Sequence, residues 1–124
     1  MGWRYNRPPH PLEGIIAKTR LIATEKDVQR AIMDYLQLKG YMCWRNNTGA
    51  FRATHNGKER FHRYGHPGSG DILGLTKNGT FFSIEVKANN NKPTPLQNQW
   101  IEWIKANNGI AFVAYGVDDV SRYL

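Results

Sequence analysis

The sequence predicts an α/β domain with a mixed β-sheet flanked by helices. Three observations carry that expectation. Two amphipathic helical segments, Thr24–Gly40 and Thr94–Gly109, are each opened by a threonine and closed by a glycine. Between them lie strand-like runs with hairpin punctuation at Asn56-Gly57 and Asn78-Gly79. Directly after the second helix comes "IAFVAYG", a continuously apolar run of the kind that fills a strand covered on both faces. A covered strand following a helix implies a parallel crossover, so the sheet is mixed.

In chain order, residues 1–23 read as a basic arm rather than a periodic element. The arm contains Pro8, Pro9 and Pro11 and an apolar group, Ile15, Ile16, Leu21 and Ile22, suited to docking on the domain or a second copy. The remainder, residues 24–124, is expected to be the domain. Thr24 N-caps the first helix, and Asp27 stands where a capping box usually has Glu or Gln. Val28, Ala31, Ile32, Tyr35 and Leu36 repeat at helical spacing. "YMCWR" reads as a strand, "NNTG" breaks it, and "AFRATHNGKERFHRY" reads as a hairpin. "GHPGSG" is a Gly-rich loop with neither the spacing nor the following helix of a phosphate-binding fingerprint. "DILGLT", "KNG" and "TFFSIEVKA" make a second hairpin. Thr94 caps a helix with Pro95 at its first position, expected to bury Leu96, Trp100, Trp103 and Ile104. Asp118-Asp119 are placed to cap a last helical turn.

At 124 residues the chain is one domain long. No apolar run approaches the roughly 20 residues of a membrane span, and the opening stretch has no apolar core of a secretory signal. One cysteine, Cys43, excludes an internal disulfide and a cysteine-based zinc site; it reads as a small buried thiol. These features fit a cytoplasmic protein without a membrane partner. The net charge of +7 is unevenly spread. Residues 1–24 carry Arg4, Arg7, Lys18 and Arg20 against Glu13, and residues 40–70 carry Arg45, Arg52, Lys58, Arg60 and Arg63 against Glu59. Segments 25–39 and 71–124 each balance to zero. Trp44, Phe51, Phe61 and Tyr64 interleave with the central cations, a composition suited to a polyanion. The five central cations are the expected nucleic-acid contacts. His55, His62 and His66 share this segment without a metal-binding motif and read as phosphate contacts or surface groups.

The chemistry concentrates in "GDILGLTKNGTFFSIEVKANNNKPTPLQ", residues 70–97. Alternation puts Phe82, Ile84 and Val86 on one face of the strand and Ser83, Glu85 and Lys87 on the other. A Glu and a Lys two apart are, by themselves, most often an exposed ion-pair ladder. Asp71 at the start of the partner strand changes that, because two adjacent carboxylates repel unless a cation lies between them. Carboxylates, a main-chain carbonyl and waters make a hard site for Mg²⁺ or Mn²⁺. Beside a basic surface, with Lys87 available to stabilise phosphate charge, this is the residue set of metal-dependent phosphodiester hydrolysis. A strict two-residue turn at Asn78-Gly79 would set Asp71 opposite Val86 and split the carboxylates between faces. The site therefore requires a longer loop, a bulge or irregular backbone at Asp71.

The motif D-x(13)-E-V-K, preceded by a helical Glu and followed by a helical Gln, resembles the PD-(D/E)XK nuclease superfamily. With "EKDVQRAIMDYLQLKG", "WRNNTG", "GSGDILGL" and "TPLQNQWIEWI", it resembles more narrowly the stand-alone, viral or phage-type VRR-NUC (virus-type replication-repair nuclease) domain. One departure is Gly70, where that family usually has a proline before the aspartate.

The resemblance implies a restriction-endonuclease-like core. It makes Asp71 and Glu85 the metal ligands, with the Val86 carbonyl as a further ligand, and Lys87 the catalytic lysine. Gln97 becomes the motif glutamine, and Glu25 a first-helix acid reaching the metal directly or through water. Gln29 lies one turn beyond Glu25, whereas Gln99 lies about 200° round its helix from Gln97. The implied activity is a Mg²⁺-dependent DNA endonuclease acting on branched DNA as a homodimer, similar to a Holliday-junction resolvase. A less selective phage nuclease or nickase, and a non-catalytic DNA-binding module, are the alternatives.

Overall fold

A computed structural model describes residues 23–124; the predicted arm, apart from Ala23, lies outside the described residues. The elements are α1 (Glu25–Leu38), β1 (Met42–Arg45), β2 (Gly49–His55), β3 (Lys58–Tyr64), β4 (Ile72–Leu75), β5 (Phe81–Val86), α2 (Pro95–Ala106), β6 (Ile110–Ala114) and α3 (Val117–Ser121). Four strands form the central sheet in the order β1-β4-β5-β6. β4 is antiparallel to β1 and to β5, and β6 runs parallel to β5, as the covered run after a helix requires. The mixed sheet and flanking helices are compatible with a restriction-endonuclease-like fold.

Each face of the sheet meets different helices. Phe82, Ile84 and Val86 pack with Phe112, with Ile32 and Leu36 of α1, and with Val120 of α3, all nearly or fully inaccessible. The intervening Ser83 and Glu85 turn to the other face, where Trp100 and Gln97 of α2 reach them. Hence β5 is buried on both sides, and its Glu-Lys pair is not an exposed ladder.

Both helices start as the sequence implies. Thr24 and Asp27 form a complete capping box although aspartate replaces the usual longer acid. Thr94 and Gln97 form a second one, with Pro95 at the first helical position. Gly40, at φ 82°, ends α1 in the left-handed region that glycine adopts without strain. Asp118 and Asp119 sit inside the first turn of α3 rather than at its cap, and Asp119 accepts the Tyr115 N–H at 2.8 Å.

The buried stripe of α2 differs from the expected one. Ile101 is its buried anchor, whereas Leu96 is 56% and Trp103 55% exposed. Leu96, Trp100, Trp103 and Ile104 do repeat at helical spacing, but the face toward the sheet is centred on Gln97, Ile101 and Ile104. Gln97 on that side hydrogen-bonds Glu85, and Leu96 and Trp103 face outward.

The β2–β3 hairpin stands apart as a two-stranded ribbon closed by Asn56 (φ 52°) and Gly57 (φ 74°), the two-residue turn that right-handed strand twist favours. Almost every one of its side chains is exposed, and it packs mainly on itself. The register pairs Phe51 with His62 and Gly49 with Tyr64, so these aromatics share one face. Phe51 stacks on His62 with ring centroids 5.1 Å apart.

The β4–β5 hairpin closes differently. Thr76 N–H donates to the Thr80 carbonyl at 2.9 Å, and Gly79 N–H donates back to the Thr76 carbonyl at 2.9 Å. Lys77, Asn78 and Gly79 therefore form a three-residue loop, with Gly79 at φ 81°. Ile72 pairs with Ile84, and the next position back sets Asp71 opposite Glu85.

Candidate active site

Asp71 enters the sheet from the Gly-rich loop, and main-chain bonds on both sides fix it. Its N–H donates to the Ile84 carbonyl at 2.9 Å, and its carbonyl accepts the Asn46 N–H at 2.8 Å and Gln29 Nε2 at 3.4 Å. Its carboxylate Oδ2 accepts the Val86 N–H at 2.7 Å. Asp71 is thereby held against β5 on the side where Glu85 projects. The Asn46 side chain also donates to Ser69 Oγ at 2.7 Å and to the Gly70 carbonyl at 2.9 Å, latching the loop. Sequence alone assigns Asn46 no role; its signals there are a polar pair, Asn46-Asn47, breaking a strand, and its place in the family-like stretch "WRNNTG".

The position before Asp71 explains one sequence departure. A Cβ at Gly70 would stand 2.2 Å from Ser83 Oγ and 3.0 Å from the Ile84 carbonyl oxygen. Ser83 Oγ accepts the Trp100 indole N–H at 2.8 Å. The space a proline would occupy is taken here by a hydrogen-bonded bridge between β5 and α2.

Glu85 is 3% exposed. Its Oε1 accepts Gln97 Nε2 at 2.7 Å, with Lys87 Nζ 3.9 Å away. Gln97 is aimed from both ends, because its Oε1 also accepts the Thr94 N–H at 2.8 Å in the capping box. Among the described residues, Glu85 Oε2 is buried and has no hydrogen-bond partner. A buried acceptor without a donor is costly. Burial raises the Glu85 pKa to about 8, aided by the charge and hydrogen-bonding capacity of Asp71 and by the charge of Glu25, with Lys87 opposing. The carboxyl is thus largely held neutral near pH 7 in the protein alone.

These interactions bring together Asp71, Glu85, Lys87 and Gln97 and leave Glu25 further out. Glu25 is exposed on the first turn of α1, near enough for its charge to act on Glu85. Among the described residues, no three His, Cys, Asp or Glu side chains converge into a ready-made metal cage. The donor set is two carboxylates, Asp71 and Glu85, with main-chain carbonyls nearby and Glu25 further out. That set fits a divalent hard cation: a buried unpartnered oxygen beside a second carboxylate is where such an ion removes two penalties at once. Gln29 binds the Asp71 carbonyl rather than a carboxylate.

The cationic side chains lie elsewhere. Arg45 is exposed at the end of β1, across from Ile72, the residue after Asp71. Arg52, Lys58, Arg60 and Arg63 project from the ribbon; Arg52 lies 3.6 Å from Glu59, and Arg63 stacks over Phe61. His55 and His62 are also on the ribbon, and His66 is exposed beside Trp100 and Trp103. Cys43 is half-buried, and burial raises its pKa. No helix among the described residues is long and apolar enough to cross a membrane.

The sequence profile of the VRR-NUC domain matches residues 23–118, most of the chain and the range that holds Glu25, Asp71, Glu85, Lys87 and Gln97. The chain belongs to the VRR-NUC domain family. That membership indicates a nuclease-type function in DNA processing, with DNA as substrate. A search of curated proteins finds no match. In this VRR-NUC domain the arrangement sets an acid just before β4 beside an acid of β5 and an amide from α2, with the α1 acid Glu25 further out.

Proposed function

We propose that this VRR-NUC domain is a Mg²⁺- or Mn²⁺-dependent endodeoxyribonuclease that cuts branched DNA, in the manner of a Holliday-junction resolvase, as a homodimer. The observation that supports it most directly is the buried, unpartnered Glu85 Oε2 facing the Asp71 side of β5. Asp71, Glu85 and the Val86 carbonyl would hold the ion, with Glu25 reaching it through water. When bound, the ion would lower the pKa of water and screen phosphate charge. Lys87, largely buried and held beside Glu85, would present its ammonium to the charge that grows on the phosphate oxygens. Gln97 keeps the Glu85 carboxyl oriented, and the Asn46 latch keeps Asp71 on the same side. The basic ribbon and Arg45 grip the phosphate backbone, which positions DNA without reading its sequence. A single small domain makes one cut, so paired cuts across a junction call for two copies.

The test incubates the protein with duplex, flap, single-stranded and four-way-junction DNA, each with Mg²⁺ or with EDTA. Preferred cleavage of the junction, in paired nicks and only with metal, supports the full reading. Equal rates on every substrate would remove junction selectivity and leave a general nuclease. No cleavage with tight binding would favour the non-catalytic module.

The ribbon makes a separate prediction. Replacing Arg52, Lys58, Arg60 and Arg63 by alanine should weaken binding similarly for all sequences. The slope of log K against log[salt] should fall by roughly 0.9 for each phosphate that is no longer neutralised. Salt titrations of wild type and the quadruple variant measure it; an unchanged slope would place the DNA path off the ribbon.

A further inference from the structure

We propose that the cleft between the Gly-rich loop and α2 is a subsite for one unpaired base of the DNA substrate, an inference resting on the nuclease reading above. The cleft has a volume of about 600 Å³ and is walled by His66, Pro67, Leu96 and the two indoles Trp100 and Trp103. That volume is within the usual range of small-ligand sites. None of Glu25, Asp71, Glu85 and Lys87 lines it, so it is distinct from the acidic site. It adjoins that site through two connections. Trp100 is anchored by its indole N–H on Ser83, two residues before Glu85, and Leu96 precedes Gln97 on α2. Trp103 lies six residues beyond Gln97, about 9 Å along the helix, within a few nucleotides of a phosphate held at the acidic site.

The cleft suits a base for three reasons. Trp103 is more than half exposed among the described residues, a large flat ring open to a stacking partner. His66 packs beside both indoles at 5.1 and 5.9 Å, and Trp100 meets Trp103 edge-on, so the platform is braced. The ring spacing leaves no slot between rings, and a base therefore stacks on the outer face. Gln99 and Glu102 line the same cleft. Their amide and carboxylate, on the exposed rim with Glu102 3.8 Å from Lys105, match the donors and acceptors along a base edge. Base–aromatic stacking of this kind tolerates any sequence because every base has a π-face.

The test titrates ten-nucleotide single-stranded oligodeoxyadenylate, and an abasic ten-mer with the same phosphates, in EDTA. Wild type should bind the base-bearing strand roughly five- to a hundred-fold more tightly, with tryptophan fluorescence quenched. Trp103→Ala should abolish the difference, and Trp103→Phe should keep most of it. Equal binding of the two strands by wild type overturns the proposal. So does a preference that survives Trp103→Ala, or one that disappears instead with Phe51→Ala on the ribbon. If Trp103→Ala turns a dimer into a monomer during gel filtration, the face belongs to a second copy and the proposal is likewise overturned. Because the binding is read without metal, an inactive wild type in Mg²⁺ would count against the nuclease reading alone.

Discussion

Asp71→Asn is expected to reduce Mg²⁺-dependent DNA cleavage by about a thousand-fold or more, near the scale expected when a preorganised electrostatic group at the reacting centre is removed. Asparagine suits the test better than alanine because of what Oδ2 does in the resting protein. That oxygen accepts the Val86 N–H at 2.7 Å, and asparagine's carbonyl oxygen can still accept it. Alanine would strand that buried donor at a cost of about 1–3 kcal/mol, mixing a folding defect with a chemical one. The same variant should bind DNA in EDTA as wild type does, since Asp71 is not one of the cationic groups that hold phosphate. Lys87→Gln should slow cleavage about a hundred-fold while leaving metal affinity nearly unchanged. Rate measurements under single-turnover conditions, paired with binding in EDTA, separate these effects. An Asp71→Asn protein that folds, binds DNA and still cleaves at the wild-type rate would place the chemistry elsewhere.

Glu85→Gln has the opposite signature: activity disappears while stability rises. The Glu85 pKa is pushed from 4.5 to about 8 by burial, with Asp71 adding to the shift. In the unfolded chain Glu85 ionises near 4.5, while in the folded protein it keeps its proton until about pH 8. Between those values the unfolded state binds fewer protons, so stability falls as pH rises. The contribution is fully present below pH 4.5 and lost through the window up to about 8. At about 1.4 kcal/mol per unit, the loss is a few kcal/mol. Thermal melts of metal-free wild type should therefore drop by roughly 10 °C or more between pH 5 and pH 8, beyond the change seen for Glu85→Gln. At pH 8 the amide variant should be the more stable protein. Mg²⁺ should raise the wild-type melting temperature at pH 8 and leave the variant nearly unmoved. Parallel melts that fall equally for both proteins would show that Glu85 ionises normally.

Much of this molecule is legible from residue chemistry. Thr24 and Thr94 announce their helices because a hydroxyl at an N-cap satisfies donors that nothing else reaches. Asn56-Gly57 announces its turn because both residues accept positive φ. Val113's strand reads as parallel and covered from its unbroken apolar run. The acidic pair is legible as a pattern, and its closeness is not, because register depends on where the turn begins. Asn78-Gly79 invites a two-residue turn by local preference, yet Thr76 and Thr80 close a longer one. The outward turn of Trp103 is hidden for a related reason. Helical periodicity gives the width of an apolar stripe, while contacts to the sheet far along the chain, among them Gln97 with Glu85 and Trp100 with Ser83, go with the side that meets it. The latching role of Asn46 is not legible because its partners, the Ser69 hydroxyl and the Gly70 carbonyl, lie in a loop far along the chain.

The three-residue loop at Lys77–Gly79 implies a parity rule. Thirteen residues separate Asp71 from Glu85, and an odd separation lets two residues of a hairpin face each other only around an odd-numbered loop. An even separation needs an even one. Motif spacing thus encodes turn length, and overrules the local dipeptide preference. Deleting Lys77 should change both numbers together, leaving Asn78-Gly79 as a two-residue turn with the acids still opposed and cleavage retained. A chain of this kind can vary its loop freely so long as spacing and turn change in step.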